Sequence, residues 1–161
     1  MKTLLLGMGN PILTDDAVGI HAARALAGRL ASTPDLTVLE ECCTGGLELL
    51  DVVVGFDRLI VLDSIRTEGG RPGDWYRFDG SALRETMHLD NVHDANFATA
   101  MELGRRMGMH IPREHDVHVL AVEVKDNSIF GERLSPELQA ALPGVIEEMY
   151  DELQGMFDAG G

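Results

Sequence analysis

Acidic residues follow two apolar stretches of the sequence that have the pattern of buried strands. Asp16 comes after LLLGMGNPILTD, and Asp63 ends the run LIVLD. Ligands of open α/β sheets bind beyond the carboxyl ends of the strands, so both side chains are expected in one crevice if the two strands are neighbours. Two carboxylates at close range repel, and each tends to hold a proton unless a cation lies between them. The two aspartates therefore predict a metal site.

A third ligand is expected from the segment HLDNVHDANF, which contains His88 and His93. His93 directly precedes a predicted helix, so its position is better fixed than that of His88 in the middle of the loop. Two carboxylates and an imidazole suit zinc, nickel, iron or manganese. Three protein ligands leave coordination positions open, as in a catalytic or exchanging site. The predicted metal ligands and catalytic residues are Asp16, Asp63 and His93, while surface positions are expected for His110, His115 and His118.

The glycine turn GMGNPI, which precedes the acidic pair, also allows a nucleotide interpretation. Ile12 takes the place of the third glycine of G-x-G-x-x-G, and Asp15 and Asp16 would repel a pyrophosphate at the start of the helix. A nucleotide-binding Rossmann-type domain is therefore the less favoured alternative. Asp16 taken alone is more often a helix-capping residue. Cys42 and Cys43 are interpreted as small apolar fillers rather than as a nucleophile or a soft-metal pair.

Strand and helix patterns alternate along the chain and must position these residues. Strands are predicted at residues 3–6, 36–39, 58–65, 75–78 and 117–124, and helices from 17, after 46, from about 94 to 107 and from 135. Thr14 or Asp15 is expected to cap the first helix, and Ser135 with Pro136 starts the last. The alternation predicts a three-layer α/β fold with a mainly parallel sheet, in one domain over residues 1–161.

The composition excludes some classes of protein. The 161 residues carry a net charge of −14, which argues against nucleic-acid binding because that function needs a basic face. The chain has no apolar run near the ~20 residues of a membrane span. The apolar run at the N-terminus is too short for a signal peptide, so a cytoplasmic location is expected.

Several separated segments resemble one known family. GMGNPILTDDAVG, CTGGLELLD, LIVLDSI, VHDANF and LSPELQAALPGVIEEM occur in this order and resemble segments of the nickel–iron hydrogenase maturation endopeptidases. The resemblance implies an α/β/α sandwich of the phosphorylase/hydrolase-like type, with a mixed five-stranded sheet whose antiparallel strand is 75–78. It places the metal-contacting positions on Asp16, Asp63 and His93. Ala17 departs from the family pattern, as do Cys42 and Cys43.

The resemblance also implies a reaction. A metal-dependent, aspartic-type endopeptidase would remove the C-terminal extension of a hydrogenase large-subunit precursor after nickel insertion. The nickel would be supplied by that precursor, with no permanently bound cofactor and no nucleic-acid or membrane partner. A non-catalytic nickel-binding maturation chaperone is the alternative. The candidate substrate contacts are Gly9, Asn10, Glu41, Thr44 and Gly45.

Overall fold

A five-stranded sheet forms the centre of the protein. The computed structural model describes residues 1–44, 46–85, 92–125 and 129–160, with the backbone alone at 83–85 and 92–96. The strand order is β2-β1-β3-β5-β4, in which β4 runs antiparallel to β5 and the other pairs are parallel. The predicted mixed sheet and its antiparallel strand are confirmed. The strands are β1 (Thr3–Met8), β2 (Leu36–Cys42), β3 (Arg58–Ile65), β4 (Trp75–Asp79) and β5 (Val117–Glu123).

Helices cover both faces of the sheet, as the three-layer prediction requires. The structure places α1 at Val18–Arg29, α2 at Glu48–Val53, α3 at Gly80–Glu85, α4 at Val92–Arg106 and α5 at Pro136–Ala159. The sequence pattern did not predict α3. Helix α4 begins two residues before the predicted start, so His93 lies inside its first turn instead of preceding it. Among the described residues, no helix has both the length and the apolar character of a membrane span.

The two faces of the sheet carry separate apolar cores. Ile60 and Leu62 of β3 belong to the core formed with α1 and α5, whereas Leu59 and Val61 belong to the core formed with α2 and α4. Successive side chains of a strand point to opposite faces. Asp63 therefore continues the face covered by α4, and the residue after it continues the face covered by α1.

A close contact between α1 and the sheet fixes the turn that precedes the helix. Gly19 lies so near the strands that a Cβ atom at this position would come 2.6 Å from the carbonyl oxygen of Met8. It would come closer still to the carbonyl oxygen of Leu62, in the second half of β3. Only glycine allows this approach without displacing the backbone. The start of α1, and with it Asp16, is consequently held against the carboxyl ends of β1 and β3.

Candidate active site at the carboxyl edge of the sheet

Buried polar side chains are concentrated at one edge of the sheet. Among the described residues, six polar or charged side chains are buried, and five of them lie at or just beyond the carboxyl ends of β1, β3 and β5. These five include four carboxylates, which are rarely buried without a compensating partner. The five residues are Asp15, Asp16, Asp63, Ser64 and Glu123.

Neutral donors hold the carboxylate of Asp16. The side chain is 3% exposed and lies in a short 3-10 turn, Thr14–Ala17, that leads into α1. The backbone N–H of Asn10 donates to Oδ2 at 2.9 Å, and the hydroxyl of Ser64 donates to Oδ1 at 3.0 Å. Because neither donor carries a charge, these bonds fix the orientation of the Asp16 carboxylate without providing a compensating positive charge.

Asp63 is anchored to the residue that follows it. The backbone N–H of Ser64 donates to Oδ1 of Asp63 at 2.8 Å. Since β1 and β3 are adjacent parallel strands, the predicted meeting of Asp16 and Asp63 at one sheet edge agrees with the topology. Ser64 contacts both carboxylates, so the bonded oxygen atoms lie within about 9 Å of one another.

Asp15 has a different partner and a structural role. Its side chain is fully buried, and Oδ1 accepts a hydrogen bond from the backbone N–H of Ser135 at 2.7 Å. This carboxylate therefore lies at the positive N-terminal end of α5. The expected capping of α1 by Thr14 or Asp15 is wrong: the N-cap position is Ala17, without a side-chain hydrogen bond. Instead of an N–H group of α1, Asp15 accepts from an N–H group that lies 120 positions away in the sequence.

The segment before α5 is joined to the turn that carries Asp16. Thr14 has φ 31°, which is uncommon for a β-branched residue. Its hydroxyl donates to the carbonyl of Ile129 at 2.5 Å, and its N–H donates to the carbonyl of Gly131 at 3.0 Å. The N–H of Gly131 donates in turn to the carbonyl of Ile12 at 2.9 Å. These bonds hold the strained turn in place.

Glu123 fixes the loop between β3 and β4. Its side chain is 1% exposed, and Oε1 accepts from the N–H of Thr67 at 2.7 Å and from its hydroxyl at 2.9 Å. Sequence reasoning missed Glu123 and Ser64 as buried polar residues. The signal was present, because each is a polar residue at the end of an apolar strand, in VHVLAVE and LIVLDSI.

Among the predicted substrate contacts, Gly9, Asn10 and Glu41 contact other residues of this chain. Gly9, with φ 148°, lies against the backbone carbonyl of Asp16, where a Cβ atom would clash. The side-chain oxygen of Asn10 accepts from the N–H of Ile12 at 3.1 Å, which is a turn contact. The exposed Glu41 pairs with Arg24 at 2.7 Å. Thr44 is half-buried in the coil after β2, and Gly45 lies outside the described residues.

The two cysteines differ in their surroundings. Cys42 is buried in the core on the α2 side, as predicted for an apolar filler. The same interpretation is wrong for Cys43, whose side chain is exposed. Partial desolvation and the nearby Glu41 carboxylate raise the pKa of the Cys43 thiol above its ordinary value. A thiol that stays protonated at neutral pH is a poor nucleophile.

The histidines complete the inventory of predicted ligands. The backbone of His93 lies in the first turn of α4, and its side chain, like all of His88, lies outside the described part of the structure. Within that part, no group of three metal-binding side chains was found. His110 and His115 are exposed as expected, whereas His118 is half-buried within β5. Burial and the nearby Arg77 lower the pKa of His118.

Fold and site together define an α/β/α protein with buried carboxylates at the carboxyl edge of its sheet. A family model described as hydrogenase maturation protease (HycI) matches residues 20–152. The chain therefore belongs to the hydrogenase maturation protease family.

Individual relatives support this assignment. The chain is 38% identical over 73 residues to the hydrogenase 2 maturation protease of Escherichia coli, an alignment covering 45% of this chain and 44% of that protein. It is 26% identical over 148 residues to the hydrogenase expression/formation protein HupD of Thiocapsa roseopersicina, covering 91% of this chain and 65% of the relative. The alignments thus span less than two thirds of these two relatives.

A solved structure has the same fold. The hydrogenase maturating endopeptidase HybD from E. coli superposes with a TM-score of 0.79 at 24% identity, covering 97% of this chain and 94% of that one. The agreement confirms the α/β fold.

Proposed function

We propose that this protein is an endopeptidase that removes the C-terminal extension of a nickel–iron hydrogenase large-subunit precursor. Cleavage follows nickel insertion, and the enzyme recognises the nickel carried by the precursor. Membership of the hydrogenase maturation protease family supports a peptidase acting in hydrogenase maturation. The acidic carboxyl edge of the sheet supports recognition of a cation.

One observation carries the nickel part of the proposal. Asp16 is buried at the edge of the sheet where ligands bind, and its partners among the described residues are an N–H group and a hydroxyl group. A buried carboxylate without a cationic partner costs several kcal/mol of solvation free energy, on the order given for buried ions. A cation presented by a substrate would recover part of that cost, and it would leave again with the product.

The three proposed ligands come from different elements of the chain. Asp16 lies before α1 and Asp63 ends the apolar part of β3. His93 lies one helical turn before Phe97, whose side chain packs on the sheet face that Asp63 continues. In this proposal all three contact the nickel of the precursor, so the nickel is part of the substrate and not a resident cofactor.

The bound nickel would supply Lewis-acid chemistry to the cleavage. A metal ion polarises a carbonyl oxygen or lowers the pKa of an attacking water molecule. The residues of this chain would orient the metal against the scissile bond, and one carboxylate would accept the proton of the water. Asp16 and Asp63 are both candidates for this base.

The proposal is tested by mixing the purified protein with a cognate large-subunit precursor, either nickel-loaded or nickel-free, and measuring precursor mass over time. We expect only the loaded precursor to lose its C-terminal extension. Equal cleavage of both forms would contradict nickel recognition. Stoichiometric binding of the loaded precursor without cleavage would instead identify a nickel-binding maturation chaperone.

A further inference from the structure

We infer that Ser64 is a positioning residue that sets the orientation of Asp16 and Asp63 toward each other for the reaction. This inference rests on the proposed function, because it assigns Ser64 a role in presenting those two carboxylates to the substrate. Ser64 is 2% exposed, so it acts through its neighbours and not by touching the substrate.

The position of Ser64 in β3 allows it to contact both carboxylates. Side chains alternate across the strand, so Asp63 continues the α4 face while the Ser64 side chain continues the α1 face, where Asp16 lies. The hydroxyl reaches Oδ1 of Asp16 at 3.0 Å, and the backbone N–H reaches Oδ1 of Asp63 at 2.8 Å. One residue thereby ties together groups that lie on opposite faces of the sheet.

The chemistry of the serine hydroxyl fits this role. It has one proton, which it donates to Asp16, and it brings no positive charge that would compete with a metal ion. An ionised carboxylate has about four lone-pair sites, of which the two described bonds to Asp16 occupy two. Asp16 thus keeps acceptor capacity for a cation while its orientation is fixed.

A purely packing role does not account for a serine here. Ser64 follows the run LIVLD and precedes the buried Ile65, and Leu62 and Val122 of the same face belong to the apolar core. An apolar residue would bury more favourably at such a position. The hydrogen bond from the Ser64 hydroxyl to Asp16 instead compensates the burial of this polar side chain.

The test compares Ser64→Ala and Ser64→Thr with Thr3→Ala, using the cognate nickel-loaded precursor. Thr3 is a second buried hydroxyl residue, 3% exposed, at the opposite end of the sheet. We expect Ser64→Ala to lower kcat about tenfold, since a hydrogen bond to a charged group is lost, and to raise KM because the nickel of the precursor is bound less tightly. Ser64→Thr keeps the hydroxyl and should restore most of kcat, and Thr3→Ala should leave kcat unchanged.

A second readout uses nickel ion alone, with binding to each variant measured by titration calorimetry. Ser64→Ala should weaken binding about tenfold, because the carboxylate of Asp16 is no longer held, and Thr3→Ala should not. Unchanged kcat and nickel affinity in Ser64→Ala would overturn the positioning role, as would an equal kcat loss in Ser64→Ala and Thr3→Ala. If the wild-type protein cleaves no precursor but Ser64→Ala still weakens nickel binding, the proposed function fails while the positioning role stands.

Discussion

The amino and carboxyl edges of the sheet, where its parallel strands begin and end, differ in the surroundings of their charged side chains. At the amino edge, Asp57 accepts a hydrogen bond from the backbone N–H of Lys2 at 2.8 Å and lies 3.0 Å from His110, in contact with solvent. The N-terminal ammonium lies 3.9 Å from Asp35. At the carboxyl edge, Asp15, Asp16 and Glu123 are buried, and their described partners are N–H and hydroxyl groups.

Asp15 and Glu123 of the carboxyl edge serve the fold through their bonds to Ser135 and Thr67, whereas the proposed function gives Asp16 a role toward a ligand. Exposed ion pairs contribute little to stability, and water compensates their charges in any case. Buried carboxylates bonded only to neutral donors retain a charge that the protein does not compensate. The exposed charges of the amino edge therefore need no further partner, and under the proposed function the buried carboxylate of Asp16 takes a cation from outside.

Replacing the acids of the carboxyl edge should have the largest effect. We expect Asp16→Asn and Asp63→Asn each to reduce processing of nickel-loaded precursor by about a hundredfold or more, because they remove charge that acts on the bound cation. Stability should remain the same or rise, since a buried charge is lost. Thermal unfolding and cleavage rates check both parts. A rate near that of the wild type would remove the residue from the site.

Substitution of Asp15 should affect stability more than cleavage, in contrast to substitution of the adjacent Asp16. Asp15→Ala leaves the N–H of Ser135 without its acceptor and should lower the free energy of unfolding by about 1–3 kcal/mol. Cleavage per folded molecule should stay within about threefold of the wild type. Urea unfolding measures the first quantity, and Asp15→Asn, which keeps an acceptor oxygen, is the matched control. A large loss of cleavage in stably folded Asp15→Asn would place this residue in the site.

The loop held by Glu123 should show a smaller effect. Thr67→Val keeps the shape of the side chain but removes the hydroxyl that donates to Glu123, so the free energy of unfolding should fall by about 1 kcal/mol. Denaturant unfolding measures this change. If stability is unaffected, the hydrogen bond between Thr67 and Glu123 does not hold the loop.

The smallest effect is expected at the amino edge and depends on pH. The N–H of Lys2 and the nearby His110 lower the pKa of Asp57 below its ordinary value of 3.8. A carboxyl group with a depressed pKa stabilises the fold above pH 3.8, and this contribution disappears as the pH falls through the folded-state pKa. Asp57→Asn should therefore lower Tm slightly at pH 7 and have a diminishing effect below pH 3.8. A larger effect at low pH would contradict this sign.

The strands and helices around the site were predicted more accurately from the sequence than the hydrogen bonds within the site. The range of β3 follows from its local apolar pattern and the antiparallel direction of β4 from the family resemblance, and both agree with the structure. The arrival of Asp16 and Asp63 at one edge follows from a general property of parallel sheets.

The contacts that were not predicted are those between distant parts of the chain. The bond from Ser135 to Asp15 spans 120 positions, so a rule about nearby caps assigned Asp15 to the wrong helix. The bond from Ser64 to Asp16 depends on which face of β3 each residue continues, and that is known only once the helices are placed. The third predicted ligand, His93, remains a prediction.

The proposed function requires the carboxyl edge to recognise the nickel carried by the precursor. It is tested most directly by measuring Kd for nickel-loaded and nickel-free precursor, with the wild-type protein and with the double variant Asp16→Asn/Asp63→Asn. We expect the wild type to bind the loaded form at least about tenfold more tightly, which corresponds to about 1.4 kcal/mol, and the double variant to bind both forms equally. The same preference for the loaded form in both proteins would contradict the claim.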